Sequence, residues 1–376
     1  RTSRINSVNG TLTFSGTLVS QGTTGTTFLS LGGLNTAGVG NFNLTGSIEG
    51  SGSVEKSGGG TLFLNPSLAA GFTGTIRIGG SATGQQSSIR VTSTGVFGAN
   101  AGTTTASVID LNTGTLEFRS DANLNFGALS GGKNVYNRNG GIIFAGSAAG
   151  GSAINGTVTL GALLMNASGT AATNTLTLSS RNGYGVTFST LGAEASTSTS
   201  NVTYTLTNNA GGNLTFTGNL TIPEGSTGSR PRILRIRGTG NTVLQTSIIA
   251  GTDPGKELQK SDAGSLTILG VATTVVGPVT IDGGAIIATD FRSLGTTTTS
   301  SIVLGNAGST GGNLIIGTTA TPTAAGLSTL KTITLNTTSG SSSIYANQTF
   351  ASPVILGGAI TKIAASTSGA LILGGT

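Results

Sequence analysis

The chain has 376 residues, 64 of them glycine, and carries 18 Lys and Arg against 12 Asp and Glu for a net charge of +6. Only 8% of its residues are charged, against a usual ~25%, and its mean hydropathy is slightly positive, so it lacks the polar, highly charged character of a disordered chain. Glycine follows no period of three, which excludes collagen. The absence of Cys and His removes the Ser-His-Asp triad, the Cys-His pair and the usual zinc ligand sets.

In chain order, one phrase keeps returning: glycine, any residue, apolar, any residue, apolar. It is GTLTF at Gly10, GTLFL at Gly60, GTLEF at Gly114, GGIIF at Gly140, GNLTF at Gly212, GSLTI at Gly264, GNLII at Gly312 and GALIL at Gly369. Between these stand FNLTG, TIRIGG, SVIDLN, TLTLSS, VTYTLTN, LRIRG, SIVLG and KTITLN. Each has period two and is bounded by Gly, Asn or Ser, which predicts short strands joined by tight turns. Apolar residues never recur at helical spacing, and Thr, Ser and Gly are poor helix formers, so no helix is predicted. No apolar run reaches the ~18 residues of a membrane span.

Gly212, Gly264 and Gly312 fall about 50 residues apart, which fits two solenoid coils of roughly 20–25 residues each. Each coil buries a small apolar face, and stacking joins these faces into one core. The expected fold is therefore all-β, a single-stranded parallel β-helix or β-solenoid spanning residues 1–376 as one elongated domain. Tandem β-sandwiches are the alternative, disfavoured because aromatics are 5% and Trp is absent. Three irregular stretches, 192–201, 223–232 and 251–264, are predicted to protrude as loops. Asn and Thr are expected to form side-chain ladders and turns between coils.

The stretch Gly50-Ser51-Gly52-Ser53-Val54-Glu55-Lys56, followed by Gly58-Gly59-Gly60-Thr61-Leu62-Phe63-Leu64 and closed by Phe72-Thr73-Gly74-Thr75-Ile76, resembles the autotransporter-associated β-strand repeat of bacterial passenger domains. The residues that carry the resemblance are Lys56, Gly60, Thr61, Leu62, Leu64, Phe72 and Gly74. A second copy runs through Lys260, Gly264 and Leu266, and a third through Lys362, Gly369 and Leu371. The resemblance implies a right-handed β-helix at or outside the bacterial surface. It implies no reaction, because the repeat is a scaffold.

Twelve carboxylates remain for chemistry, and glycoside hydrolysis needs two. Asp253, Glu257 and Asp262 share one irregular stretch, but Lys256 and Lys260 stand among them as pairing partners. Asp282-Gly283-Gly284 is the nearest approach to a calcium-binding glycine repeat and does not recur. No catalytic residue, metal site or cofactor is therefore expected, and the protein is read as a non-enzyme. The sharpest charge feature is SRPRILRIRG, with Arg230, Arg232, Arg235 and Arg237. Such a row of guanidinium groups suits an anionic ligand or a neighbouring subunit. Aromatics do not interleave with it, so nucleic acid is not expected as a partner.

Both ends read as ordinary strands without a capping helix, so the chain is either cut from a longer solenoid or stacks on other copies. The expected function is an extracellular structural subunit of a self-assembling surface fibre or layer, with other copies of itself as partner. An adhesin passenger that binds acidic glycans or cell-surface polysaccharide is the alternative, and a polysaccharide-active β-helix enzyme a remote one.

Overall fold

Period-two alternation gives each short segment one apolar face and two unpaired backbone edges. A parallel stack satisfies both at once: neighbouring coils pair the edges, and the apolar faces turn inward together. The computed structural model of the chain describes residues 3–7, 9–21, 28–33, 40–65, 72, 74–79, 87–97, 109–127, 134–166, 173–193, 201–222, 231–249, 255–271, 274–295, 301–306, 311–317, 328–337, 340–346, 354–362 and 370–375. Among these the regular structure is strand, apart from two single 3-10 turns, Thr94–Phe97 and Phe291–Leu294. The paired strands run parallel. The chain is a parallel β-solenoid. The β-sandwich alternative fails because sandwiches are built from antiparallel sheets.

The chain divides into two compact units. The first comprises Arg1–Asn166, Thr175–Ser189 and Ala210–Gly212, and the second Ala167–Asn174, Thr190–Asn209 and Asn213–Thr376. In each, successive strands enter different sheets, and the chain returns to the same sheet one coil later. One stack of the first unit runs from Gly10–Phe14 through Gly40–Leu44, Thr61–Leu64, Ser88–Val91 and Thr115–Arg119 to Gly141–Gly146. One of the second runs from Val202–Asn209 through Arg232–Arg237, Lys256–Lys260, Val279–Ile281, Ile302–Leu304 and Ile333–Leu335 to Ile360–Lys362.

Coil length is less regular than expected. Bonded neighbours in adjacent coils lie 20 residues apart at Asn41 and Thr61, 27 at Arg90 and Glu117, and 35 at Ser147 and Asn182. This corrects the expected 20–25. Strands must keep register to stay paired, but a corner loop can absorb extra residues at little cost in loop entropy.

The cores are columns of residues in register. In the first unit Phe42, Leu62, Ile89, Leu116 and Ile143 stack in successive coils, all inaccessible to solvent. In the second, Leu234, Leu258, Val279, Ile302 and Ile333 do the same. Burying each such side chain stabilises the fold by about 1.5–3 kcal/mol. Polar ladders accompany them as expected: the Thr61 and Ser88 hydroxyls meet at 2.6 Å, those of Ser30 and Ser57 at 2.9 Å, and Asn139 donates to Asn112 at 2.6 Å.

Glycine begins the recurring phrase for a geometric reason. At Gly60, φ is +83°, and a Cβ there would strike the Gly40 carbonyl of the preceding coil. Gly264 has the same obstacle in the Gly240 carbonyl. The corner brings two backbones closer than a side chain allows.

Candidate functional site

Strand parity decides which charged residues reach solvent. In Arg232–Arg237 the inward face is Arg232, Leu234 and Ile236, and the outward face is Ile233, Arg235 and Arg237. Arg232 is 2% exposed and stands in register between Val202 and Lys256, both inaccessible. This corrects the expected row of guanidinium groups: Arg232 is a core residue because it shares parity with Leu234. Arg230 and most of the loops expected at 192–201 and 223–232 lie outside the described residues, as does 251–254 of the third.

The two outward arginines have partners. Arg235 Nε donates to Gln259 Oε1 at 2.8 Å, Gln259 Nε2 donates to Glu257 Oε1 at 2.8 Å, and Thr280 Oγ1 donates to the same oxygen at 2.8 Å. Arg237 Nε and Gly238 N both donate to Asp262 Oδ2 at 3.0 Å. Burial raises the Asp262 pKa, but the hydrogen bonds from Arg237 and Gly238 and the charges of Arg237 and Lys260 outweigh it and hold the carboxyl below its ordinary value. Glu257 and Asp262 therefore serve these ladders and form no carboxylate pair with each other. Asp253 lies outside the described residues. Asp282 accepts from Asn306 at 3.4 Å, and among the described residues no three acidic side chains gather as a cation site would need.

The lysines of the repeated phrase have a shared role that residue spacing alone did not assign. Lys56 stands in register between Leu31 and Ile78 and is inaccessible to solvent. Its ammonium turns into the corner and donates to the carbonyls of Ser57 at 2.9 Å, Gly58 at 3.1 Å and Gly59 at 2.7 Å. Lys260, 1% exposed, stands between Ile236 and Ile281 and donates to the carbonyls of Ser261 and, at 2.9 Å, Asp262. Both lysines close a corner from within by donating to its carbonyls, of which Gly58 also accepts from the Ser87 hydroxyl at 2.8 Å. Burial pulls each ammonium down to about 8, as it does Lys331. The parity signal was present in the sequence: Lys56 shares a face with Val54, and Lys260 with Leu258. Lys362 of the third copy is exposed, because Ile360–Lys362 is the last strand of its stack. Gly369 lies outside the described residues.

Of the remaining residues that carry the resemblance, Leu62, Leu64 and Phe72 are core residues, and Gly74 lies against the backbone of Gly52. Thr61 bonds Ser88, and Leu266 continues the column of Ile286 and Leu314. Leu371 pairs with Ser342.

The first unit also carries an outward network that sequence reading missed. Asp110, inaccessible to solvent, accepts from Arg77 at 3.1 Å and Arg138 at 2.8 Å. Glu117 accepts from Arg90 at 2.7 Å and Arg119 at 2.6 Å. Each of three arginines also lies over a ring: Arg90 over Phe63 at 5.0 Å, Arg119 over Phe144 at 4.2 Å and Arg138 over Tyr136 at 4.7 Å. Only the coil register brings these residues together, since Phe63, Arg90, Glu117 and Phe144 occupy one outward column. Asp110→Ala is expected to lower unfolding stability by about 1–2 kcal/mol in denaturant titration. That is less than the 3–5 kcal/mol typical of breaking a buried pair, because both arginines keep partial access to water.

Leu12 occupies the Phe42 column in the first coil and is 38% exposed, whereas its successors are inaccessible. In the second unit Ile360 follows Ile333 and is 46% exposed, and Leu373 follows Ile344 and is 60% exposed. The same apolar position is thus buried in every inner coil and open in the outermost one. No family model matches this chain, and neither a curated protein nor a solved structure is significantly similar to it.

Proposed function

We propose that the chain is an extracellular structural β-solenoid, a subunit of a bacterial surface fibre or layer assembled by end-to-end stacking of coils. The observation that supports this reading is the stacking itself: each inner coil covers the apolar column of the next, and in the outermost coils described that column stays open at Leu12, Ile360 and Leu373. An open strand edge with an apolar face templates a further coil. The occupant proposed is the outer coil of another copy, giving a head-to-tail contact that does not close. Low charge density supports the same reading, because lateral packing of solenoids meets little repulsion. The surface location rests on the resemblance around Lys56. A catalytic role has no comparable support, since Asp110, Glu117, Glu257 and Asp262 serve structural ladders.

The test is electron microscopy of the purified chain at rising concentration, beside sedimentation velocity. Filaments that lengthen with concentration are the expected result. Leu373→Lys, which places a charge on the open column, is expected to abolish them with little change in melting temperature. Discrete particles at every concentration overturn the fibre reading, and would leave a further coil of a longer chain, as in an adhesin passenger, to cover the same column.

A further inference from the structure

The sheets of the second unit differ in the charge they carry. The sheet that runs in this unit from Leu214–Phe216 through Ser265–Ile268 to Ala370–Gly375 has no charged residue in any of its strands. Strand parity turns alternate residues of each strand inward as core. The outward ones align across the coils, and Thr215, Val243, Thr267, Ile287, Ile315 and Tyr345 stand in register in a single column. The first five are half-buried and Tyr345 is exposed. Two residues beyond Thr267, Leu269 extends the same face and is 36% exposed. The stack that contains Arg232–Arg237 and Lys256–Lys260 instead turns Arg235, Arg237 and Glu257 outward.

We infer that this uncharged column is a lateral docking face for a second copy of the chain, whose own column packs against it sheet on sheet. Charge selects the partner. Unlike proteins recognise each other through complementary charge, and these strands offer none, whereas two identical uncharged faces meet without repulsion. Spacing sets the geometry. The outward side chains recur once per coil, at ~4.8 Å, and another copy presents the same repeat, so the two columns can interdigitate along their length as paired sheets do in a dry interface. Area sets the strength. From Thr215 to Tyr345 the face is ~24 Å long and, at three outward positions per strand, ~14 Å wide, on the order of 350 Å² per copy against the ~800 Å² per partner of a stable complex. A lone pair is therefore weak, and the contact holds where stacked copies present many such faces together. In that respect the inference rests on the end-to-end reading proposed above, and it names the face by which stacks join sideways.

The chain contains no cysteine, so one introduced thiol is a clean probe. Packed sheets stand ~10 Å apart, beyond the ~7 Å Cα separation a disulfide spans, so a short bismaleimide is used to join the thiols. Ile287→Cys lies on the column. Ile233→Cys is the control, also a half-buried outward isoleucine, but on the charged stack between Thr203 and Glu257. At filament-forming concentration Ile287→Cys is expected to give cross-linked dimers severalfold faster than Ile233→Cys. In electron micrographs wild-type filaments are expected to lie side by side and Ile287→Lys filaments to stay single. Melting curves confirm the fold of each variant. Equal cross-linking at the two positions, or Ile287→Lys filaments that still pair, overturns the inference and leaves the end-to-end reading standing. Without filaments, cross-linking at high concentration still decides: an excess at Ile287→Cys upholds the face while the end-to-end reading falls, and no excess overturns both. A monomer that pellets with microcrystalline cellulose, loses this in Ile287→Lys and gives no dimers also overturns the inference, because the face then belongs to a polysaccharide surface.

Discussion

Lys56→Ala is expected to destabilise the first unit by about 3–5 kcal/mol, read as a fall in the denaturant midpoint. Two losses add. Removing the four-carbon stem from a column between Leu31 and Ile78 leaves a cavity, in the range of ~2–5 kcal/mol for long side chains cut to Ala. Removing the ammonium takes a donor from the carbonyls of Ser57, Gly58 and Gly59, of which Gly58 keeps the Ser87 hydroxyl at 2.8 Å, and hydrogen bonds to a charged group contribute ~1.5–3 kcal/mol each. Against this stands the cost of burying the ammonium, several kcal/mol, which the substitution recovers. Lys56→Met separates the terms: it keeps the stem and drops the donor. It is expected to cost about 1–2 kcal/mol, because three charge-assisted bonds together exceed the desolvation of one ammonium. A Lys56→Met protein as stable as the wild type would show that the corner carbonyls do not depend on this donor.

The same lysines set a pH dependence. Lys56, Lys260 and Lys331 are held at about 8 by burial, against 10.5 for an unperturbed lysine. Between those values the unfolded chain binds more protons than the folded one, so unfolding free energy rises with pH. The unfavourable share is complete below about pH 8 and is relieved as pH climbs towards 10.5. The neutral amine still donates, so the corner keeps bonds after the proton leaves. Stability measured from pH 7.5 to 10 is expected to increase, and to increase less in Lys56→Met.

Gly60→Ala is the second large effect, with an expected loss of about 3 kcal/mol or more. Its φ of +83° costs a non-glycine residue roughly 1–2 kcal/mol, and the added Cβ would strike the Gly40 carbonyl. Backbone cannot step aside as a flexible side chain can, so relief requires widening the coil spacing and stretching the ladder on both sides. Gly95→Ala is the control. Gly95 has no positive φ, and no atom lies within 4 Å of the position its Cβ would take. It is expected to be neutral or mildly stabilising through the reduced freedom of the unfolded chain. Equal effects at the two positions would remove close coil approach as the reason glycine begins the recurring phrase.

The period-two phrases by themselves determined that this chain is all-β, and the spacing of their glycines pointed to stacked coils. Each strand states which face is apolar, and a narrow coil has one inside. The same parity, applied consistently, places Lys56, Lys260 and Arg232 in the core, because they share faces with Val54, Leu258 and Leu234. What the sequence could not settle is which residues become neighbours across coils. Corners absorb insertions freely, so bonded neighbours in adjacent coils are separated by anything from 20 to 35 residues. Only the folded register sets Glu117 between Arg90 and Phe144. The register also places related phrases at different corners: Lys56 leads from the Ser53–Ser57 stack to the Thr61–Leu64 stack, whereas Lys260 leads from the Lys256–Lys260 stack to the Ser265–Ile268 stack. Local alternation is a property of a few consecutive residues and survives in any context. Neighbourhood across coils depends on the length of every corner between, and is decided only when the ladder closes.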